Sequence, residues 1–280
     1  MNDKLYIIGN GFDLHHGLNT SYSDFRDSFA KKNQLLWKFL SNIYGNDINN
    51  DMWWSQFEII LANIDYVHLV NTLNGAVMGG QKVKTLFKGV LPPLFGMWLN
   101  KMEYNNIDID LNIDTNAQFF TFNYTLLLEN VYKIRAENIW HIHGSLKEVD
   151  NIIVGHDSNE RELFSKYLSY KNNHVQIRED IADNIRRMAA KGAKGVAKRI
   201  KEHRDEFRNR YMSIKHIIAM GFSFNDIDMP YVEAILDANT NIDNIKWTIY
   251  YHNDGEDDSI INKLLSLNIN HANINHAIKW

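Results

Sequence analysis

The fold is decided by the stretch KLYIIGNGFD, residues 4–13. Its apolar run ends at glycines, a pattern typical of a buried strand that turns tightly into a helix. Further runs with strand character lie at residues 118–123, 138–143, 151–155, 215–221 and 246–251, with helical patterns between several of them. Strands that alternate with helices predict an α/β, Rossmann-like fold with a mostly parallel sheet and helices on both faces.

Two long helical stretches, at about residues 24–115 and 157–212, interrupt this alternation. We interpret the chain as a single α/β domain, residues 1–280, whose helical insertions form a smaller lobe. Pro92 and Pro93 are expected to break or kink the first insertion, because proline cannot donate the helix hydrogen bond. The second insertion contains a basic segment, residues 186–210, whose spacing predicts an amphipathic helix with a positive outer face.

The composition excludes several classes of protein. The 280 residues carry a net charge of -4, which argues against a dedicated nucleic-acid-binding domain. With no cysteine, the chain cannot form disulfides, thiolate metal sites or a cysteine nucleophile. The longest apolar run, residues 90–99, is too short to span a bilayer and holds two prolines. We therefore expect a soluble, cytoplasmic protein that does not bind membranes.

Two glycine turns follow predicted strands and are candidates for binding a nucleotide. In the turn after the first strand, Gly9 and Gly11 would let backbone N–H groups approach a phosphate, although a tight turn needs glycine for steric reasons as well. A second glycine turn, at Gly221 to Ser223, suits a phosphate or a ribose.

Asn123 and His143 are the candidates for chemistry, because each comes at the end of a predicted strand. Asn123 offers a neutral donor and acceptor, or it caps the helix expected near Thr125. His143 can exchange a proton near neutral pH, or it forms a metal site with His141. Since no third ligand stands at a recognisable spacing, we expect no metal.

Several of these motifs carry a resemblance to known families. The stretches LYIIGNGFDL at residues 5–14 and TSYSDF at residues 20–25 resemble the AbiH family of phage abortive-infection proteins. DFR at residues 24–26, TFNYT at 121–125, HGS at 143–145 and GFS at 221–223 resemble motifs of the wider sirtuin-like superfamily. These motifs occur in the order that the superfamily has, and they span most of the chain.

The resemblance implies an NAD-binding domain in which Asn123 and His143 flank the nicotinamide ribose. Sirtuin-like defence enzymes with this pair cleave NAD to nicotinamide and ADP-ribose, which halts the infected cell. Thr125 replaces an aspartate that is usual in the related motif, and Asp13 or Asp24 is a candidate to replace its carboxylate. The residues that the resemblance places around NAD are Gly9, Asn10, Gly11, Phe12, Asp13, Asp24, Phe25, Gly221 and Ser223.

Two other functions remain open from the sequence. The same pocket serves equally a sensor or regulatory module that binds NAD or ADP-ribose without cleaving it. The basic segment at residues 186–210 is compatible with a nuclease or a nucleic-acid-binding protein, although the net charge does not favour this alternative. A phage-encoded trigger, a partner defence protein and a second copy of the chain are the candidate protein partners.

Overall fold

The computed structural model describes residues 3–61, 82, 84–155, 195–252 and 256–280. The chain divides into two compact units. We call Met1–Thr20, Met102–Lys147 and Val196–Trp280 the sheet unit, and Ser21–Lys101 with Glu148–Gly195 the helical unit. The helical unit therefore consists of two insertions into the sheet unit. Residues 102–115 and 196–212, which the sequence patterns assign to the insertions, belong to the sheet unit.

The sheet unit contains a sheet of six strands in the order β3-β2-β1-β4-β5-β6, and each neighbouring pair is parallel. This is the strand order of doubly wound nucleotide-binding folds, and it confirms the predicted fold class. The strands are β1 (Lys4–Ile8), β2 (Gln118–Thr121), β3 (Ile139–His141), β4 (His216–Met220), β5 (Lys246–Tyr251) and β6 (Ile274–Lys279).

The helices of the described residues alternate with these strands or form the helical unit. Those in the sheet unit are α1 (Asn10–His15), α7 (Leu127–Asn130), α8 (Val196–Glu202), α9 (Arg204–Tyr211), α10 (Met229–Ala238) and α11 (Glu256–Ser266). Those in the helical unit are α2 (Tyr22–Ser28), α3 (Gln34–Tyr44), α4 (Asp51–Ser55), α5 (Phe57–Ile60) and α6 (Leu91–Leu99). A π-helix, Leu86–Val90, leads directly into α6, and Pro92 and Pro93 lie in the first turn of α6. The helical backbone changes its hydrogen bonding before the prolines and continues through them.

Side chains of β1 alternate between two hydrophobic cores, one on each face of the sheet. Leu5 and Ile7 join a core that includes residues of α9, α10 and α11. Tyr6 and Ile8 join a second core that includes Phe12 of α1 and residues of α7. Because both faces are covered, β1 reads as a continuous apolar run, and each fully buried aliphatic side chain contributes about 1.5–3 kcal/mol.

Two strand predictions need correction. Residues 151–155 are not a strand: the chain forms a 3-10 turn at Val149–Asn151 and then an irregular segment. The apolar side chains there pack on a helix instead, since Val149 and Ile152 fill the space beside Gly96 of α6. In addition, β6 forms the edge of the sheet beside β5, where no strand was predicted.

The basic segment forms two helices rather than one, in so far as it is described. α8 ends at Glu202, α9 starts at Arg204, and residues 186–194 lie outside the described residues. The predicted inner face is confirmed at Val196, Phe207 and Tyr211, which are buried. In the described parts of the chain, no helix is both long and apolar enough to cross a bilayer.

Candidate functional site

The strand order of the sheet reverses at β1 and β4, which lie side by side at its centre. Ile8 at the end of β1 is paired with Met220 at the end of β4, so the loops that follow both strands emerge together. In open parallel sheets, ligands bind beyond the carboxyl ends of the strands at this reversal. The glycine turns predicted to bind a nucleotide are therefore adjacent in the fold.

The backbone N–H groups of the first glycine turn already have acceptors within the protein. Gly9 donates to the carbonyl of Met220 at 3.1 Å, Gly11 donates to that of Gly221 at 2.9 Å, and Phe12 donates to that of Gly9 at 3.0 Å. In this conformation the first two bonds stabilise the junction between β1 and β4, and the third closes the turn into α1. They are not directed towards a phosphate.

The same glycines allow the two loops to approach each other closely. A Cβ on Gly9 would lie 2.4 Å from the Gly221 oxygen, and a Cβ on Gly11 would lie 2.7 Å from the Gly221 Cα. Gly221 has a φ of +59°, a left-handed conformation that glycine adopts readily. Of the two reasons for glycine that the sequence left open, the steric one therefore applies at these positions.

The loop after β4 is held by a lysine from α11. Phe224 is fully buried and has a φ of +51°, a conformation that is rare for an aromatic residue. The Lys263 ammonium donates to the Phe224 carbonyl at 2.6 Å and to Asp226 Oδ1 at 3.0 Å. Ser223, the predicted ligand contact, is exposed in this loop.

Asn123 follows β2 and points its amide towards the first glycine turn. Its Nδ2 donates to the Gly9 carbonyl at 3.0 Å, and its backbone N–H donates to Thr121 Oγ1 at 3.1 Å. It is 6% exposed. The alternative role as a helix cap is wrong, because α7 begins at Leu127 and its N-cap residue, Leu126, makes no side-chain capping bond.

Asp13 is a buried carboxylic acid next to Asn123. Its Oδ2 accepts a hydrogen bond from Thr125 Oγ1 at 2.8 Å. Its Oδ1 is buried without a hydrogen-bond partner among the described residues. Burial raises the pKa of Asp13 to about 7, although the Thr125 hydroxyl and the Asn123 amide favour the carboxylate. Asp13 thus brings its carboxyl group to the residue that replaces the usual aspartate.

We expect Asp13→Asn to flatten the pH dependence of stability. The folded chain holds a proton on Asp13 up to about pH 7, whereas the unfolded chain releases it near pH 4. The free energy of unfolding should therefore fall by about 4 kcal/mol as the pH rises through this window, and the amide should remove that fall. Urea unfolding of both proteins at several pH values measures the difference. Asp108→Asn, at an exposed position, should leave the pH dependence as it is.

His141 at the end of β3 supports the backbone of Asn123. Its Nδ1 lies 2.8 Å from the Asn123 carbonyl oxygen, and its Nε2 lies 3.2 Å from Glu129 Oε1. Lys147 forms a further ion pair with Glu129 at 3.0 Å. Burial favours a raised pKa for Glu129, but its hydrogen bonds with His141 and Lys147 bring the pKa below its ordinary value. Glu129 could not be predicted from the sequence, because no recognisable spacing relates it to His141.

His143 lies in an aromatic environment, two residues beyond β3. It is 2% exposed, and its ring centroid is 5.7 Å from those of Phe122 and Tyr231. Its Nε2 lies 3.7 Å from Asp228 Oδ1. Asp228 directly precedes α10 without making a side-chain capping bond, so its carboxylate faces the imidazole instead. Asp228 and His143 are 85 residues apart in the chain, so no local sequence pattern relates them.

Two other predicted ligand residues of the sheet unit have structural contacts. Asn10 exchanges hydrogen bonds with Thr20, since its Nδ2 donates to the Thr20 carbonyl and its Oδ1 accepts from the Thr20 hydroxyl. Phe12 is fully buried, and its ring packs near those of His16 and Tyr132. Both residues hold α1 in place beside the glycine turn.

The remaining predicted residues, Asp24 and Phe25, lie in the helical unit. Asp24 forms a capping box with Ser21 at the start of α2. Phe25 is fully buried, with its ring centroid 5.0 Å from that of Trp98 and 5.1 Å from that of Phe95. Their role near NAD stays a prediction.

The two histidines of the alternative metal site have different neighbours. His141 contacts Asn123 and Glu129, whereas His143 contacts Phe122, Tyr231 and Asp228. Over the described ranges, no three His, Asp or Glu side chains are grouped as metal ligands. His156, the next histidine along the chain, lies outside these ranges.

One family model matches the sequence of this chain. The model of the family described as bacteriophage abortive infection AbiH matches residues 5–88 and 81–251. No curated protein matches the chain.

Proposed function

Since this chain belongs to the AbiH family of bacteriophage abortive infection proteins, whose role is antiphage defence, we propose that it acts by cleaving NAD. The reaction consumes one water, breaks the bond between nicotinamide and its ribose, and releases nicotinamide, ADP-ribose and a proton. We further propose that the chain is a member of the sirtuin-like superfamily. The site beyond β1, β2 and β3 is the part of the fold that would bind NAD.

The observation that carries this proposal is the set of buried polar side chains at one edge of the sheet. Asp13, Asn123 and His143 follow β1, β2 and β3, and each is at most 6% exposed. Burying polar side chains costs free energy unless they are hydrogen-bonded. Proteins tolerate this cost most often at functional sites, where such groups cluster. Thr125 donates a hydrogen bond to Asp13, and the Asn123 amide lowers the pKa of the same carboxyl group. His141, at the end of β3, contacts the Asn123 carbonyl.

These side chains suit the cleavage of a glycosidic bond. As nicotinamide leaves, positive charge develops on the ribose, and water or a ribose hydroxyl must lose a proton. His143 would accept that proton, and the nearby Asp228 carboxylate would stabilise the imidazolium that forms. The Asn123 amide nitrogen faces Gly9, so its amide oxygen would accept a hydrogen bond from the ribose. The Asp13 Oδ1 atom would accept a second one.

A second candidate function is binding of NAD or ADP-ribose without cleavage. It is favoured by Thr125, a neutral hydroxyl in place of the usual carboxylate. A sensor of this kind would use the same edge of the sheet and would release its ligand unchanged.

The experiment that tests both functions is incubation of the purified protein with NAD, followed by chromatography of the products and calorimetric titration of the same sample. We expect equimolar nicotinamide and ADP-ribose. Saturable binding with intact NAD would overturn cleavage and leave the sensor. Neither binding nor cleavage would overturn both.

We expect Asp228→Asn to lower the kcat for NAD cleavage on the order of tenfold to a hundredfold with little change in KM, because the amide cannot stabilise the imidazolium. Steady-state kinetics separate the two constants. Asp226→Asn is the matched control, since Asp226 is almost fully exposed and lies in the same loop. A higher KM with an unchanged kcat would contradict the proposed role of Asp228 in stabilising the imidazolium.

A further inference from the structure

A groove lies on the surface of the sheet unit between helices α8 and α9 on one side and α10 on the other. Its volume is about 960 Å³. Its floor is apolar, with Phe207 buried and Ile200 and Ala234 half-buried. A channel between two helices, with small residues such as Ala234 at its floor, has the shape that receives a third helix.

The rims of this groove carry opposite charges. The α8 and α9 rim has a net positive charge, whereas the α10 rim is acidic. Neighbouring charges outside the groove are paired, as in Lys198–Glu202 and Arg210–Glu206. Over the described ranges, none of the charged lining residues has an ion-pair partner; they are Lys201, Arg204, Asp205, Arg208, Glu233 and Asp237.

We propose that this groove is a dimer interface, occupied by α10 of a second copy of the chain. In a twofold dimer the same face meets itself, so the face must be complementary to itself. The acidic rim of each copy, Glu233 and Asp237, would lie against the basic residues Lys201, Arg204 and Arg208 of the other copy. The twofold axis then produces this pairing of an acidic rim with a basic rim twice, once on each copy. Both apolar floors are covered.

The charge distribution favours a second copy over a nucleic acid. A polyanion would gain from the three basic residues but would be repelled by Asp205, Glu233 and Asp237, which line the same groove. Arg199, next to this surface in sequence, instead donates to the carbonyl of Ile142 at 2.9 Å. The groove therefore offers a polyanion no surface of one sign.

Two charge-reversed variants and their mixture test the proposal. The first, Lys201→Glu with Arg204→Glu and Arg208→Glu, makes both rims acidic. The second, Glu233→Lys with Asp237→Lys, makes both rims basic. Measured by analytical ultracentrifugation, each variant alone should dissociate roughly a hundredfold more readily than the wild type, because like charges would meet. An equimolar mixture should form heterodimers, since opposite rims then face each other again.

The control reverses the same number of positive charges as the first variant, at positions away from the groove. Lys32→Glu, Lys38→Glu and Lys246→Glu change exposed positions and should leave the dimer intact. Circular dichroism of each variant checks that the chain is folded. The proposal is overturned if the wild type stays monomeric, if both variants dimerise like it, or if the mixture fails to associate. Salt-dependent DNA binding that only the first variant loses would identify nucleic acid as the occupant.

Discussion

His143→Ala is expected to lower the rate of NAD cleavage about 10²–10⁴-fold, the usual contribution of a positioned acid or base. The imidazole is buried against Phe122 and Tyr231, so few other groups could accept the proton in its place. Binding of NAD should be nearly unchanged, because the proton transfer matters only as the glycosidic bond breaks. The loss should therefore appear in kcat.

Product chromatography over time measures this rate, and calorimetry measures the binding. His216→Ala is the matched control, since His216 begins β4 and thus lies at the opposite, amino edge of the sheet. It also loses an imidazole from the sheet unit, and it should cleave NAD at the wild-type rate. Cleavage by His143→Ala at the wild-type rate would remove His143 from the mechanism.

Gly221→Ala is expected to reduce the free energy of unfolding by about 3 kcal/mol or more. The new Cβ would lie 2.1 Å from the Phe12 nitrogen and 2.4 Å from the Gly11 carbonyl carbon, both of which are backbone atoms that cannot rotate away. Overpacking of this kind costs about 1–3 kcal/mol. The left-handed conformation at φ +59° costs alanine about 1–2 kcal/mol more.

Gly17→Ala separates the two contributions. Gly17 also has a positive φ, at +76°, but a Cβ there would meet nothing within 4 Å. It should therefore lose only about 1–2 kcal/mol, the cost of the backbone conformation. Urea unfolding of both variants gives the comparison. Equal losses at the two positions would mean that the β1 and β4 loops can separate without cost.

The central strands could be predicted from sequence because burial on both faces makes them continuous apolar runs. β1 and β5 were predicted at their observed bounds. The edge strand β6 was missed, because its sequence INHAIK mixes polar and apolar residues. The segment at residues 151–155 was mistaken for a strand, since an apolar run that packs on a helix looks the same as one that pairs in a sheet.

Of the candidate site, only those residues that belong to one local sequence motif could be predicted. Asn123 and His143 were named as candidates because each comes at the end of a predicted strand and resembles a known motif. Glu129 lies beside His141, and Asp228 lies beside His143, only because the fold brings each pair together. No local sequence pattern encodes such a pairing. Asp13 was a candidate from the sequence, but its hydrogen bond with Thr125 could be seen only in the fold.

The close contact of Gly9 and Gly11 with Gly221 also restricts how related sequences can diverge. Where a side chain meets a side chain, a larger residue at one position can be accommodated by a smaller one at the other. Here the contacting atoms belong to the backbone on both sides, so no second substitution can make room. A chain could therefore change its ligand, or lose its catalytic residues altogether, and still need these three glycines. The three glycines are therefore a requirement of the architecture and give no information about chemistry.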